Sequence, residues 1–472
     1  MKIGEKMRKT KIVATLGPAT NNHKSLKSII QSGANVIRIN FSHGNQETHE
    51  ASINLVKQVR SELNVPVAIM VDTRGPEIRV TKFEDGSGIL KKGKNFSLYG
   101  FQKMGNNDGV SVSEPKCLAN LKKGDVILAN DGLIRMTVVE NKGFEVVCKV
   151  MQGGVLSDNK GLTFKDISLN LPYISKRDRE DLVWAFKNGC DIVAASFVNT
   201  ADDIRQIKKL MHENNYSCKI VAKIESMTGI KNLDDILDVA DGIMVARGDL
   251  GVEIQPSRLP KIQMDLINSA VDKGKSVIVA TEMLESMIHN PRPTRAETID
   301  VANAVYNGAS AVMLSAETAV GEYPDKAVKT MAEICSQAEK DIPYKKMFFD
   351  NIYHTNGVVV DVIGHSAVSC SFKLDTKAIV LYTKSGKTAS MISRFKPNAP
   401  IVAITDDPQT YNYLSLEWNV WPIYTKLGNI DIFELATTVA KSIKLAKKDD
   451  AIIVTTGSTD KLNNVMKVCT ID

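Results

Sequence analysis

The chain has 472 residues, of which 43% are hydrophobic, 24% charged and 6% aromatic; this length predicts two or three domains, and the composition is too apolar for a disordered protein. The net charge of +6 is the small excess of 60 basic over 54 acidic residues, which is a weak sign of nucleic-acid binding and fits small anionic ligands at least as well. The sequence has no apolar run near the roughly 18 residues of a membrane span, no signal-peptide core and no metal-binding cysteine spacing, so it predicts a cytoplasmic protein with reduced thiols and without membrane or nucleic-acid partners.

Short apolar segments rich in β-branched residues recur along the chain, and each is followed by a stretch of helical character. They lie at residues 11–17, 35–42, 66–73, 191–197, 219–226, 242–249, 276–283 and 311–318. Near-continuous apolar strands that alternate with helices predict a parallel sheet with both faces covered. Eight such units predict a closed (β/α)8 barrel, with a doubly wound open sheet as the alternative.

Two other regions differ in texture from these units. Residues 74–171 are rich in Gly and Lys and contain short alternating strands, which predicts a small β domain inserted into one barrel loop. Beyond about residue 350 the alternation of strands and helices starts again. We therefore predict a barrel from residues 1–73 and 172–345, an inserted β-barrel-like domain at 74–171, and a C-terminal α/β domain at 346–472.

Polar residues follow the predicted barrel strands, where a (β/α)8 barrel builds its active site. The strand ends carry Arg38, Asn40, Ser42, His43, Asp72, Thr73, Lys223, Glu225, Arg247, Gly248, Asp249, Thr281 and Glu282. Glu225 and Asp249, on neighbouring strands, suit Mg²⁺, which takes one or two carboxylates. The alternative is that they only pair with Lys223 and Arg247. Cations at the same mouth favour a substrate with several negative charges, and a phosphorylated small molecule is the simplest one.

A second polar motif lies in the predicted C-terminal domain. It joins a strand to a helix and consists of Thr383, Lys384, Ser385, Gly386, Lys387 and Thr388. Free backbone N–H groups at such a turn favour phosphate. The motif lacks Walker spacing because Leu381 stands where a glycine is required, so a purely structural turn is the alternative. A packed or surface role is likewise the alternative for His43.

Seven sequence stretches occur in a characteristic order: KIVATLGP at 11–18, RINFSHG at 38–44, DTRGPEIR at 72–79, KIE at 223–225, DGIMVARGDLGVE at 241–253, NPRPTRAE at 290–297 and DVAN at 300–303. In these stretches the chain resembles the pyruvate kinase family over almost its whole length. The resemblance implies phosphoryl transfer from phosphoenolpyruvate to ADP, giving pyruvate and ATP. It further implies a homotetramer, and a sugar-phosphate effector bound at residues 383–388.

The resemblance also implies roles for individual residues. The ligands of Mg²⁺ or Mn²⁺ would be Glu225 and Asp249. The ligands of K⁺ would be Asn40, Ser42, Asp72 and the carbonyl of Thr73, and Glu77 matches the residue usual in K⁺-dependent members. Phosphoenolpyruvate would be bound by Arg38, Lys223, Gly248, Asp249 and Thr281, of which Arg38, Lys223 and Thr281 would be catalytic. The nucleotide would be contacted by Asn40, His43, Arg79 and Lys160, the last two from an inserted domain acting as a lid.

The chain departs from the family pattern at residues that flank the matched motifs, namely at 163–166, Asn199, Thr200, Glu282 and Ala316. A short segment at 457–464 favours a sugar monophosphate over a bisphosphate as effector. Two other activities are weighed against the kinase. A metal-dependent lyase or aldolase on the same barrel would leave Arg79 and the K⁺ ligands unused. A non-catalytic sugar-phosphate sensor predicts the loss of Lys223 or Thr281, and both residues are present.

Overall fold

The computed structural model describes residues 7–165, 167, 171–350, 355, 357–426, 428, 430–456 and 465–472. The chain begins with alternating strands and helices: β1 (Lys11–Thr15), α1 (His23–Ser32), β2 (Val36–Asn40), α2 (Gln46–Leu63) and β3 (Ala68–Asp72). Helix α1 begins after Asn22, whose side chain accepts a hydrogen bond from the backbone of Ser25. Strands β1 and β3 are buried along their whole length, as parallel strands covered on both faces must be.

A separate β domain follows β3, and we call it the lid. Its strands are β4 (Ile78–Arg79), β5 (Ser87–Leu90), β6 (Asn95–Tyr99), β7 (Gly109–Ser111), β8 (Val126–Ala129), β9 (Ile134–Asn141), β10 (Glu145–Gln152), β11 (Gly154–Ser157) and β12 (Gly161–Phe164). Seven of them form one sheet in the order β4-β12-β8-β9-β10-β6-β7, and β5 pairs with β11. The lid has its own apolar core, which contains Phe96, Leu98 and Met136.

The chain then returns to the barrel and completes it. The strands are β13 (Ile192–Ala195), β14 (Lys219–Ile224), β15 (Gly242–Ala246), β16 (Ser276–Ala280) and β17 (Ala311–Leu314). The helices are α3 (Lys176–Lys187), α4 (Ala201–Glu213), α5 (Met227–Lys231), α6 (Leu233–Val239), α7 (Arg247–Glu253), α8 (Leu259–Asp272), α9 (Arg295–Tyr306), α10 (Ala316–Ala319), α11 (Pro324–Asp341) and α12 (Tyr344–Phe349). Eight strands close in the order β1-β17-β16-β15-β14-β13-β3-β2, which confirms the predicted barrel.

The C-terminal domain is an α/β sandwich around one sheet, as the sequence predicts. Its helices are α13 (Val359–Leu374), α14 (Lys387–Ser393), α15 (Pro408–Tyr413) and α16 (Ile432–Ser442). Its strands are β18 (Ile379–Tyr382), β19 (Ile401–Thr405), β20 (Val420–Tyr424), β21 (Ala451–Thr456) and β22 (Val465–Thr470), in the order β20-β19-β18-β21-β22. The segment at 457–464, whose short length favours a sugar monophosphate as effector, lies outside the described residues. Within the described ranges, no helix is long and apolar enough to cross a membrane.

The N-terminal end of the barrel packs against the C-terminal domain through buried lysines. Lys11, at the start of β1, is 2% exposed; its Nζ donates a hydrogen bond to the carbonyl of Val420 at 2.8 Å and lies 4.3 Å from the ring centroid of Trp421. Lys396 crosses the same junction in the other direction, because its Nζ donates to the carbonyl of Gly308 at 2.9 Å. Among the described residues, no carboxylate lies within 4.0 Å of either ammonium.

Candidate active site

Lys223, in β14, is the centre of a buried ionic network at the barrel mouth. Its Nζ lies 2.9 Å from Glu225 Oε1 and 3.2 Å from Asp72 Oδ1, and it donates a hydrogen bond to Ser196 Oγ at 2.8 Å. Burial by itself lowers the pKa of an amine, but Asp72 and Glu225 more than offset this effect and hold the pKa of Lys223 above its usual value. Lys223 therefore stays positively charged at neutral pH.

Arg38, in β2, is a second cation that contacts the carboxylate of Asp72. Its Nε donates to Asp72 Oδ2 at 2.6 Å, and its Nη1 donates to Thr15 Oγ1 at 3.1 Å. Burial acts to raise the pKa of Asp72, but Lys223 and Arg38 hold it below its usual value. Asp72 thus fixes two cations side by side, as a site for a multiply charged anion requires.

Ser196, which follows β13, is a residue of this network that the sequence reasoning missed. Its Oγ lies 2.6 Å from the carbonyl oxygen of Thr73 and 3.1 Å from Asp72 Oδ1, besides accepting from Lys223. Its backbone N–H donates to Thr73 Oγ1 at 3.0 Å. The residue ends one of the predicted strand segments, so the rule that singled out the other strand ends would have found it.

Glu225 and Asp249 form a pair of carboxylates beside Lys223. Glu225 is 2% exposed; its Oε2 accepts from the backbone N–H of Phe197 at 2.6 Å, and its Oε1 lies 2.9 Å from Lys223 Nζ. Burial, together with the charge of Asp249, raises the pKa of Glu225 to about 7 despite the opposing effect of Lys223. Asp249, on the first turn of α7, is exposed at the mouth, and partial desolvation raises its pKa as well.

These carboxylates fit a divalent cation by the chemistry of their donors. Both carry raised pKa values because of burial and, for Glu225, the charge of Asp249, so a bound cation would relieve an existing electrostatic cost. Among the described residues, no three His, Cys, Asp or Glu side chains form a metal-binding group. An ion here would take water and substrate oxygens as further ligands, which is usual for Mg²⁺. The alternative pairing holds only in part: Lys223 does pair with Glu225, but Arg247 pairs with Asp300 at 2.5 Å.

The residues predicted to bind K⁺ lie at two adjacent strand ends. Asn40 in β2 is the register partner of Asp72 in β3, and Asn40 Oδ1 accepts a hydrogen bond from the backbone of Ser42 at 3.0 Å. The structure therefore brings Asn40, Ser42, Asp72 and Thr73 together. Glu77, nearby on the lid side, accepts from Arg79 Nη2 at 2.7 Å.

Thr281 and Gly248 meet at the ends of two neighbouring strands. The backbone N–H of Gly248 donates to Thr281 Oγ1 at 2.8 Å, and this hydroxyl donates to the carbonyl of Ala280 at 2.6 Å. Thr281 has a φ of 69° and Glu282 a φ of 53°. The left-handed region is strained for a β-branched residue, so a site at which it occurs twice in succession must be held by its surroundings.

Arg79 and Lys160, predicted to contact the nucleotide, lie at one edge of the lid. Strands β4 and β12 pair there, with Arg79 opposite Gly161, and the carbonyl of Lys160 accepts from the backbone of Val80 at 2.9 Å. His43 is exposed after β2, and its carbonyl accepts from His49 Nε2 at 2.7 Å. Of the departures, Thr163 lies in β12, Asn199 and Thr200 cap α4 through Asp203, and Asp166 lies outside the described residues.

The turn at 383–388 is rigid on its inner side and charged on its outer side. Thr383 is buried and its Oγ1 accepts from the backbone of Gly386 at 2.9 Å. Gly386 has a φ of 74° and a Cβ there would overlap Tyr413, so only glycine fits. Thr388 is buried. The exposed residues of the turn are Lys384, Ser385 and Lys387.

Comparisons with known proteins identify the family of the chain. The family model described as "Pyruvate kinase, barrel domain" matches residues 7–328, and "Pyruvate kinase, alpha/beta domain" matches residues 361–469. The chain is 41% identical to a pyruvate kinase of Sporosarcina psychrophila over 457 residues, 96% of this chain and 78% of that protein. It is 39% identical to one of Clostridium acetobutylicum over 470 residues, 98% and 99% of the two chains.

A crystal structure of a pyruvate kinase from Cryptosporidium parvum has a TM-score of 0.93 and 35% identity, covering 99% of this chain and 97% of that one. Fold, sequence and the charges at the barrel mouth thus lead to the same assignment: the chain belongs to the pyruvate kinase family and transfers the phosphoryl group of phosphoenolpyruvate to ADP.

Proposed function

We propose that the residues gathered at the barrel mouth carry out this transfer, with Lys223 and Arg38 as the cations that hold the phosphoryl group. The observation that carries the proposal is the position of Asp72, which contacts Lys223 Nζ and Arg38 Nε at 3.2 and 2.6 Å. Phosphoryl transfer requires little covalent chemistry from the protein, and depends on positioning and on cations that offset charge on the moving oxygens. A fixed pair of cations supplies both.

Lys223 has a second role after transfer. The departing group is the enolate of pyruvate, and Lys223, which stays protonated, stabilises the charge on its oxygen. Because Ser196, Asp72 and Glu225 already orient the ammonium, it needs no rearrangement at the moment of reaction.

Glu225 and Asp249 would hold Mg²⁺ or Mn²⁺, in keeping with the general requirement of the family for a divalent cation and K⁺. When bound, the divalent ion supplies positive charge toward the oxygens of the transferred group. The K⁺ ligands are Asn40, Ser42, Asp72 and the carbonyl of Thr73. Lys223 lies between the two proposed sites, because its Nζ contacts Glu225 of the divalent site and Asp72 of the K⁺ site.

Gly248 and Thr281 would bind the carboxylate end of phosphoenolpyruvate and serve protonation of the enolate carbon. The N–H of Gly248 lies at the first turn of α7, where backbone N–H groups without a partner inside the helix favour anions. Thr281 Oγ1 contacts that same N–H. We place Thr281 on the side from which the proton reaches the carbon, directly or through a water molecule.

The lid would close over the nucleotide. Arg79 and Lys160 on its β4–β12 edge, with Asn40 and His43 on the barrel, are the proposed contacts to ADP. Closure excludes water, which would otherwise compete with ADP as the phosphoryl acceptor. The division into barrel (1–73 and 172–345), lid (74–171) and C-terminal domain (346–472) is supported by the separate sheets of the three parts.

Regulation and assembly complete the proposal. We assign a phosphorylated sugar to the turn at 383–388, with Lys384, Ser385 and Lys387 as its exposed contacts and Thr383, Gly386 and Thr388 as the buried residues that shape the turn. A homotetramer is the proposed assembly, by analogy with the family. We keep a cytoplasmic location as a prediction, because highly charged substrates such as phosphoenolpyruvate and ADP do not cross membranes unaided.

The test is formation of pyruvate from phosphoenolpyruvate with ADP, omitting ADP, the divalent cation and K⁺ in turn. The proposal expects little pyruvate in each omission. Rapid turnover without ADP would favour the lyase alternative, and no turnover under any condition would favour the sensor. Full activity without K⁺ would remove the role of Asn40, Ser42, Asp72 and Thr73 in binding it.

A further inference from the structure

Thr281 and Glu282 form a strained pair at the end of β16. Their φ angles are 69° and 53°, and neither is a glycine. Such conformations are costly for residues other than glycine and persist only where the surroundings impose them. The strain lies beside the substrate site proposed above, which raises the question of what holds it.

Arg247 holds the backbone of Thr281 from behind. Its Nη2 donates to the carbonyl oxygen of Thr281 at 2.5 Å and its Nε donates to the same oxygen at 3.2 Å. Nε also lies 3.3 Å from the carbonyl of Ala280. The side chain is 8% exposed, so these are enclosed contacts between a charged donor and backbone acceptors, which are stronger than neutral hydrogen bonds.

Asp300 orients Arg247 from α9. Its Oδ2 accepts from Arg247 Nη1 at 2.5 Å, while the other two nitrogens point to Thr281. Arginine suits this position because its planar fork can serve two acceptors in fixed directions, which a lysine ammonium cannot do in the same way.

The backbone carbonyl and the side-chain hydroxyl of Thr281 are therefore held by two consecutive residues, Arg247 and Gly248. Arg247 binds its carbonyl, and the backbone N–H of Gly248 binds its hydroxyl at 2.8 Å. Rotation of the peptide after Thr281 would break the contacts with Arg247, and a change in φ of Thr281 would move its side chain and so the hydroxyl that Gly248 contacts. The side chain of Arg247 and the anion-binding N–H of Gly248 thus depend on one backbone conformation.

We propose that Arg247, oriented by Asp300, is a positioning residue that keeps Thr281 in its left-handed conformation and its hydroxyl at the reacting face of the site. This inference rests on the proposed role of Thr281 and extends it to two residues to which no role was given. Arg247 itself exchanges no proton with the substrate.

The test is a double-mutant cycle between Arg247→Met and Thr281→Ala. The measured quantity is incorporation of deuterium from D2O into the methyl group of pyruvate, followed by NMR, since it reports protonation at carbon apart from phosphoryl transfer. Each single variant is expected to slow exchange by roughly 10- to 100-fold, as misplacement by about an ångström does. The double variant should be no slower than Thr281→Ala alone, because Arg247 acts only through Thr281.

Rescue and control variants separate positioning from loss of structure. Glu282→Gly lowers the cost of the left-handed backbone, so adding it to Arg247→Met should recover part of the exchange rate. Arg60→Met is the matched control, because Arg60 forms another enclosed pair, with Asp191 at 3.0 Å, outside the residues placed at the mouth; exchange should be unchanged. If Arg247→Met does not fold, Arg247→Lys and Asp300→Asn enter the cycle in its place.

The outcomes distinguish the two levels of inference. If Thr281→Ala exchanges at the normal rate, the proposed role of Thr281 is wrong and the positioning proposal fails with it. If Thr281→Ala is slow but the effect of Arg247→Met is the same in both backgrounds, only the positioning proposal is overturned. Non-additive loss with rescue by Glu282→Gly supports it.

Discussion

The two ends of the barrel both bury lysine, and they shift its pKa in opposite directions. At the mouth, Lys223 lies between Asp72 and Glu225, and its pKa is raised. At the other end, the Nζ of Lys11 contacts the backbone carbonyl of Val420 and the ring of Trp421; burial, aided by Arg8, lowers its pKa to about 7. The difference shows that partners rather than depth decide the charge of a buried amine.

The two ends of the barrel also differ in role: the mouth serves the chemistry and the base serves stability. A (β/α)8 barrel carries its catalytic residues at the C-terminal ends of its strands, and the opposite end serves folding. Lys396 fits this division, since burial lowers its pKa to about 7 as well while its Nζ contacts Gly308 across the domain junction. Substitutions at the mouth should therefore change turnover, and substitutions at the base should change unfolding.

The strongest test of this division is Lys223→Met. Turnover should fall by roughly 10²- to 10⁴-fold, the range for one electrostatic or acid–base group, while circular dichroism shows a folded protein and Mg²⁺ still binds. Lys11→Met is the matched control and should keep turnover within about twofold of the unmodified enzyme, because Lys11 touches no residue of the mouth. A Lys223→Met enzyme within a few-fold of normal turnover would remove Lys223 from the mechanism.

The buried Lys11 at the base of the barrel should make the free energy of unfolding depend on pH. Lys11 titrates near pH 7 when folded and near its ordinary 10.5 when unfolded, so between these values the unfolded chain binds more protons. The free energy of unfolding should thus rise from pH 7 toward 10.5, by at most about 1.4 kcal/mol per pH unit for each such lysine. Lys11→Met should reduce the slope, measured by urea unfolding at pH 7.5, 8.5 and 9.5. An unchanged slope would mean that Lys11 stays charged beside Trp421.

The proposed K⁺ requirement can be tested with a substitution on the lid side of the mouth. Glu77→Lys places a fixed ammonium within the electrostatic reach of Asp249, and we expect it to replace part of the field of K⁺. The ratio of activity with K⁺ to activity without it should move toward one. Because Glu77 also holds Arg79, the Michaelis constant for ADP should rise. Glu140→Lys reverses an exposed charge elsewhere on the lid and should leave the ratio unchanged; an equal shift in both variants would contradict a local effect.

The smallest effect is expected at the C-terminal turn, where the cations are exposed and solvent screens them. Sugar monophosphates should activate the enzyme at subsaturating phosphoenolpyruvate, by no more than their differential affinity for two states allows. Ser385→Glu should weaken this activation by placing negative charge against the phosphate and should keep the basal rate, and Thr388→Glu should weaken it by putting a carboxylate into the buried side of the turn. Titration with several phosphorylated sugars measures it. Activation that survives both substitutions would leave the turn with a structural role alone.

The sequence predicted the fold well because the barrel strands are continuously apolar. The predicted segments at 11–17 and 276–283 contain β1 and β16, and Thr281 lies in the polar end of the second segment. The strand-end motifs supplied the candidate ligands, since Glu225 directly follows β14 and Asp249 lies three residues after β15. These features are local, and short-range patterns are sufficient to locate them.

The contacts that explain the site are long-range, and the sequence did not predict them. Arg247 reaches Thr281 and Asp300, which are 34 and 53 residues away in the chain. The left-handed backbone of Thr281 has no sequence signature, because threonine normally avoids it. Likewise, nothing in the pattern of β1 distinguishes Lys11, at its start, from an exposed lysine. Tertiary packing decided both features.

The lid is inserted between β3 and β13, which are hydrogen-bonded neighbours with Ile192 opposite Met70. The lid is therefore inserted between two neighbouring strands of the barrel. Its removal or replacement should leave the strand order of the barrel unchanged. Loop-closure entropy depends only weakly on length, so a short linker in place of residues 74–171 should leave a closed barrel. Such a truncated enzyme would keep Lys223 and Arg38 but admit water to the phosphoryl group, turning a kinase into a slow phosphatase.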